Sequence, residues 1–110
     1  MQLREDFLHY VWRFKQFDFK DLTTTSGEAI QISHIGDYNT DGGPDFKNAK
    51  IQIGETTWAG NVEIHVKASD WLKHQHSSNP AYNTVILHVV FEADAVIKNT
   101  SGQAIPTLEF

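Results

Sequence analysis

The sequence predicts an α/β (α+β) fold, with an α-β-β-β-α-β order and a mixed central sheet flanked by helices. Three observations lead there. An N-terminal stretch, residues 3–16, repeats its apolar residues at helical spacing. Three segments, 28–35, 46–53 and 56–67, alternate as strands do. A later run, TVILHVVF at 84–91, is apolar on both parities, the pattern of a strand buried on both faces. Such a strand needs cover above and below, which points to helices packed on a sheet.

The helix carries Leu3, Phe7, Tyr10, Val11 and Phe14 as its apolar face, widened by Trp12. Glu5 and Asp6 in the first turn and Lys15 near the end suit the helix dipole. Leu22–Thr25 and the strand at 28–35 are expected to pair across Ser26-Gly27. The stretch GDYNTDGGP, 36–44, has turn residues and no periodicity, so it reads as a loop. Its acids fail the calcium-loop pattern, because the final Glu and the flanking helices are missing.

Strand 46–53 turns at Gly54-Glu55 into strand 56–67, where Trp58, Val62, Ile64 and Val66 share the inward parity. Gly60 within that strand signals a bulge or the close approach of another backbone. Ser69 or Asp70 would cap a short helix at 71–76, stopped by Ser77-Ser78-Asn79-Pro80. Residues 98–103 form a turn and 104–110 a final strand.

At 110 residues the chain is expected to form a single domain, 1–110. A charge of −5 is not that of a tight, nonspecific nucleic-acid binder. The absence of cysteine excludes disulfides, thiolate zinc sites and cysteine nucleophiles. A charged N-terminal stretch and the lack of a long apolar run point to a cytoplasmic protein with no membrane partner.

The chemistry concentrates between Gly42 and Trp71. Glu63, His65 and Lys67 alternate with Val62, Ile64 and Val66, so a carboxylate, an imidazole and an amine project from one strand face. The bland alternative is the wet face of an edge strand. Asp45 opens the preceding strand, and a hairpin would bring it beside Glu63. Two such carboxylates suit a hard cation, Mg2+ or Mn2+, that activates water. His65 and Lys67 would then orient the water or steady the transition state.

Pro44-Asp45, a hairpin, then Glu63-Ile64-His65 resembles the PD-(D/E)XK pattern of the restriction-endonuclease-like nucleases. The resemblance implies that superfamily's α-β-β-β-α-β core, Asp45 and Glu63 as metal ligands, and Glu5 as the acid of the first helix. His65 stands where the family has lysine, and Lys67 lies one strand repeat further on. The runs GGPDFKNAKI, WAGNVEIHVKASDWLKHQH and AYNTVILHVV also resemble an uncharacterised bacterial family of longer proteins. That resemblance implies that the chain is the N-terminal portion of a longer protein.

Two other functions compete with a nuclease. In one, the polar strand face is a non-enzymatic interface for a C-terminal remainder or for a homodimer. In the other, a zinc hydrolase draws ligands from His65, His74, His76 and His88. His74 and His76 share an ion only in an extended segment, since helical positions i and i+2 diverge. Otherwise they touch phosphate or are surface residues. Asp70 serves as a helix cap, as a partner for a histidine or as a ligand. Trp58, Trp71 and Tyr82 are candidate base platforms, although parity places Trp58 in the core.

Overall fold

The computed structural model describes residues 4–74 and 79–110. It is a mixed α+β structure built on one curled, six-stranded sheet. Helix α1 spans Glu5–Arg13. Strands β1 (Ile30–His34), β2 (Asp37–Tyr38), β3 (Phe46–Ile53) and β4 (Thr56–Lys67) follow, then α2 (Asp70–Lys73) and a 3₁₀ turn at Pro80–Thr84. Strands β5 (Val85–Glu92) and β6 (Thr107–Glu109) complete the chain. The expected strands at 46–53 and 56–67 fall within these bounds, and the expected loop contains the two-residue β2. Of the helix expected at 71–76, the part beyond His74 lies outside the described residues.

The spatial order is β1-β3-β4-β5-β6, with β2 also pairing β3. Strands β1, β3 and β4 are antiparallel neighbours, whereas β5 runs parallel to both β4 and β6. The parallel step requires the crossover that α2 and the 3₁₀ turn supply. Strand β4 is therefore central, and the reading of it as a wet edge is overturned: Glu63 and His65 are 3% and 1% exposed.

Each face of the sheet has its own core. Leu8 and Trp12 of α1 pack with Ile51, Val62, Ile64, Leu87 and Val89 on one. Trp71, Val90, Ile97 and Ile105 form the other. Helix α1 thus docks through Leu8 and Trp12, one helical turn apart. Phe7, Tyr10 and Phe14, expected to face the core, are 47%, 56% and 50% exposed. The Trp12 indole Nε1–H also donates to the Ile35 carbonyl at 3.0 Å, which fixes the docking angle.

Trp58 is a second correction, at 48% exposed. Its parity matches Val62 and Ile64, but β4 is far longer than the layer above it. Twelve strand residues run about 40 Å, while the nine residues of α1 run about 14 Å. The distal end of β4 also lacks a strand on one side, because pairing with β5 begins only at Asn61, and residues 56–59 are exposed there. Gly60 marks the close approach its position suggested. A Cβ there would lie 2.5 Å from Ile86 Cγ2 and 2.8 Å from the Thr84 carbonyl oxygen.

Candidate functional site

Asp45 follows the Gly42-Gly43-Pro44 turn and enters β3 opposite the middle of β4. Pairing of Phe46 with Val62 sets its carboxyl beside Glu63. The two acids are held by reciprocal bonds. The Asp45 backbone N–H donates to Glu63 Oε1 at 3.2 Å, and the Ile64 N–H donates to Asp45 Oδ2 at 2.8 Å.

Helix α1 brings two more ligands. Glu5 and His9 lie one helical turn apart, on a line adjoining Leu8 and Trp12, so docking the helix delivers both. His9 Nε2 is 3.5 Å from Glu5 Oε1 and 3.4 Å from Asp45 Oδ2. These are longer than ordinary N–H···O bonds, and His9 Nε2 is buried with no hydrogen-bond partner among the described residues. Its Nδ1 faces the Tyr38 hydroxyl at 3.4 Å. One donor atom each from Glu5, His9 and Asp45 fit within 4.8 Å of one another.

Ionisation in this cluster is strongly perturbed. Burial pulls His9 down, but Asp45 and Glu5 outweigh it and raise its pKa to about 10. Burial pushes Asp45 up, yet His9, Glu63 and the Ile64 N–H hold it below the ordinary carboxylate range. Glu63 absorbs the conflict: burial and the adjacent Asp45 carboxyl raise it to about 10. The pair therefore carries one proton and one negative charge at neutral pH. Tyr82 of the 3₁₀ turn feels the same charges. Burial, then Glu63, Asp45 and Glu5, push its phenol up to about 12.

Behind Glu63 runs a line of imidazoles. His65 Nε2 stands 3.5 Å from Glu63 Oε2, and His65 Nδ1 stands 2.7 Å from His88 Nε2 on β5. Trp71 closes over both rings, with centroids 6.4 Å from His65 and 5.1 Å from His88. The His74 ring lies 5.1 Å from that of His65. His76 lies outside the described residues.

Lys67 and Asp70 are placed elsewhere. Lys67 Nζ is 3.9 Å from Glu92 on an exposed surface. Asp70 accepts the Lys67 backbone N–H at 3.1 Å and faces Lys73 at 3.5 Å, tying β4 to α2. Ser69 makes no cap; its N–H and hydroxyl donate to Asp94 at 2.8 and 2.6 Å. Of the residues singled out in the sequence, Glu5, Asp45, Glu63, His65 and His88 thus lie in one connected group. His9 was missed. The signal for it was Glu5-x-x-x-His9, a carboxylate and an imidazole on one helical line.

A family model described as a protein of unknown function, DUF2851, matches residues 5–110. The chain belongs to the DUF2851 family. No curated protein and no solved structure matches it. The DUF2851 match begins at Glu5 and takes in the carboxylate and imidazole groups described above. No helix among the described residues is long and apolar enough to cross a membrane.

Proposed function

We propose that this DUF2851 domain is a metal-dependent phosphodiesterase of the restriction-endonuclease-like class, acting on nucleic acid. The observation that carries it is the convergence of Glu5, His9 and Asp45, with Glu63 cross-bonded to Asp45. Donors about 2.1 Å from one cation stand roughly 3.0–3.4 Å apart in octahedral or tetrahedral shells. The His9 separations of 3.4 and 3.5 Å fit that spacing. Two or three carboxylates suit Mg2+ or Mn2+, and the imidazole favours manganese. The antiparallel β1-β3-β4 meander followed by a parallel β5 supports the superfamily resemblance.

In this proposal Asp45, Glu5 and His9 hold the cation, and Glu63 supplies the remaining acidic oxygen after giving up its proton. A cation held by these residues would supply a lowered pKa for bound water and charge neutralisation at a phosphoryl oxygen. His65 fixes the Glu63 carboxyl from behind and is itself braced by His88. Lys67, set beside Glu92, takes no part. Titration calorimetry with Mn2+ and Mg2+, run beside cleavage of single- and double-stranded oligonucleotides, tests this. Asp45→Asn should lose both metal binding and cleavage; wild-type cleavage in a folded Asp45→Asn variant would end the proposal.

A second function, a non-enzymatic interaction module, draws on a different observation. Phe7, Tyr10 and Phe14 form an exposed aromatic strip on α1, with the Tyr10 and Phe14 rings 5.0 Å apart. Absence of both metal binding and cleavage in folded wild type would favour it.

A further inference from the structure

A cleft separate from the carboxylates opens on the other end of the sheet. It has a volume of about 630 Å³ and lies where the uncovered end of β4 meets the start of β5 and the turn before β6. Its lining residues include Trp58, Ile86 and Thr84, and three that carry carboxamides, Asn83, Asn99 and Gln103. Among the described residues no charged side chain lines it. We infer that this cleft receives an unpaired base of a single-stranded nucleic acid whose backbone continues to the Asp45–Glu63 centre. The inference rests on the phosphodiesterase proposal and extends it to the substrate.

Four observations support it. Trp58 presents an exposed indole in a cleft, and an aromatic face stacks on any base. The amides are oriented. Asn99 Oδ1 accepts the Ser101 and Gln103 backbone N–H groups, both at 3.0 Å, and Asn83 Oδ1 accepts from the Thr100 hydroxyl at 3.2 Å. With each Oδ1 engaged, Nδ2 is the donor that these two amides offer, matching the carbonyl and ring-nitrogen acceptors of a base edge.

Charge distinguishes a nucleotide from a neutral sugar. Lys50 is the register partner of Ala59, and Lys98 is the bridge partner of Ala104; Ala59 and Ala104 both line the cleft. Two exposed lysines thus stand one backbone pairing away from the uncharged lining, cations within the reach of a strand whose base enters the cleft. Finally, the cleft and the acids share one element. In the turn Pro80–Thr84, Asn83 and Thr84 line the cleft while Tyr82 sits in the field of Glu63, Asp45 and Glu5. Along β4 the separation from Ala59 to Glu63 is roughly 13 Å.

The test is fluorescence anisotropy of a labelled single-stranded 12-mer in Mn2+, with full-length and abasic versions. Trp58→Ala should weaken the full oligonucleotide roughly 5- to 150-fold. Trp58→Phe should recover part of that loss, and the abasic strand should be indifferent to either change. Gln103→Leu gives an independent readout of the amides should Trp58→Ala misfold. Equal weakening of both strands, unchanged affinity in the folded variants, or no strand binding by wild type would overturn the inference. So would occupation of the cleft by an uncharged glucose oligosaccharide in place of the strand. An oligonucleotide bound through Trp58 but never cleaved would leave the cleft assignment standing and end the phosphodiesterase proposal.

Discussion

His65 Nδ1 and His88 Nε2 face each other at 2.7 Å across the parallel β4–β5 pair. Only one proton fits between two ring nitrogens at that distance, so one ring donates and the other accepts. Both rings are buried, at 1% and 0% exposed. His88→Leu keeps the volume and removes the partner. It should cost about 1–3 kcal/mol, read as a lowered urea midpoint at constant slope. An unchanged midpoint would mean that the contact contributes nothing to stability.

The pH dependence of the metal-free domain follows from three groups. Glu63, raised from about 4.5 to about 10, binds its proton more tightly in the folded state. His9, raised from 6.5 to about 10, does the same. Both contributions are complete below the unfolded pKa values and fade as pH climbs to 10. Asp45 is lowered, so its contribution holds above pH 3.8 and is lost on acidification. Thermal melts should therefore give a Tm that falls steadily from pH 6 to 10. Glu63→Gln should flatten that decline.

Cation binding should release protons. Asp45, His9 and Glu63 ligate only when deprotonated, and two of them hold protons at neutral pH. Apparent Mn2+ affinity should rise between pH 6.5 and 9. The calorimetric enthalpy should also change with the ionisation enthalpy of the buffer. His9→Gln should weaken Mn2+ more than Mg2+, because only manganese gains from the imidazole.

The docking face of α1 is open to a direct comparison. Leu8 is 4% exposed and Phe7 is 47% exposed. Leu8→Ala should destabilise by about 2–5 kcal/mol, whereas Phe7→Ser should stay within about 0.5 kcal/mol. The reverse ranking in chemical denaturation would mean that the helix is turned by a quarter of its circumference.

Gly60→Ala forces a methyl to within 2.8 Å of the Thr84 carbonyl and 2.5 Å of Ile86. Overpacking of that kind costs about 1–3 kcal/mol. Ile86→Ala in the same chain should recover part of the loss, since it removes one of the two clashes.

The sheet was readable because its signals are local. Val62, Ile64 and Val66 alternate with Glu63, His65 and Lys67, and TVILHVVF saturates both parities, so β4 and β5 were expected close to their observed bounds. The turn before Asp45 and the hairpin at Gly54 likewise placed Asp45 near Glu63. What failed was orientation against a second layer. Helix α1 shows more apolar surface through Phe7, Tyr10 and Phe14 than through Leu8 and Trp12. It nevertheless buries the latter side, the one beside which Glu5 and His9 lie. Counting hydrophobic residues ranks that face lower because two polar groups share it. Trp58 misled for a related reason: parity says which way a side chain points, not whether anything covers it.

The parallel pairing of β4 with β5 has a consequence for how the domain assembles. No turn can place His88 beside His65, 23 residues earlier in the chain, so the two meet only after the crossover has been threaded. Contacts this distant form late and slowly in a small domain. Burial, the first cause of the raised Glu63 pKa, is complete only once β5 has joined β4, so proton uptake in a stopped-flow trace should time the final step of assembly.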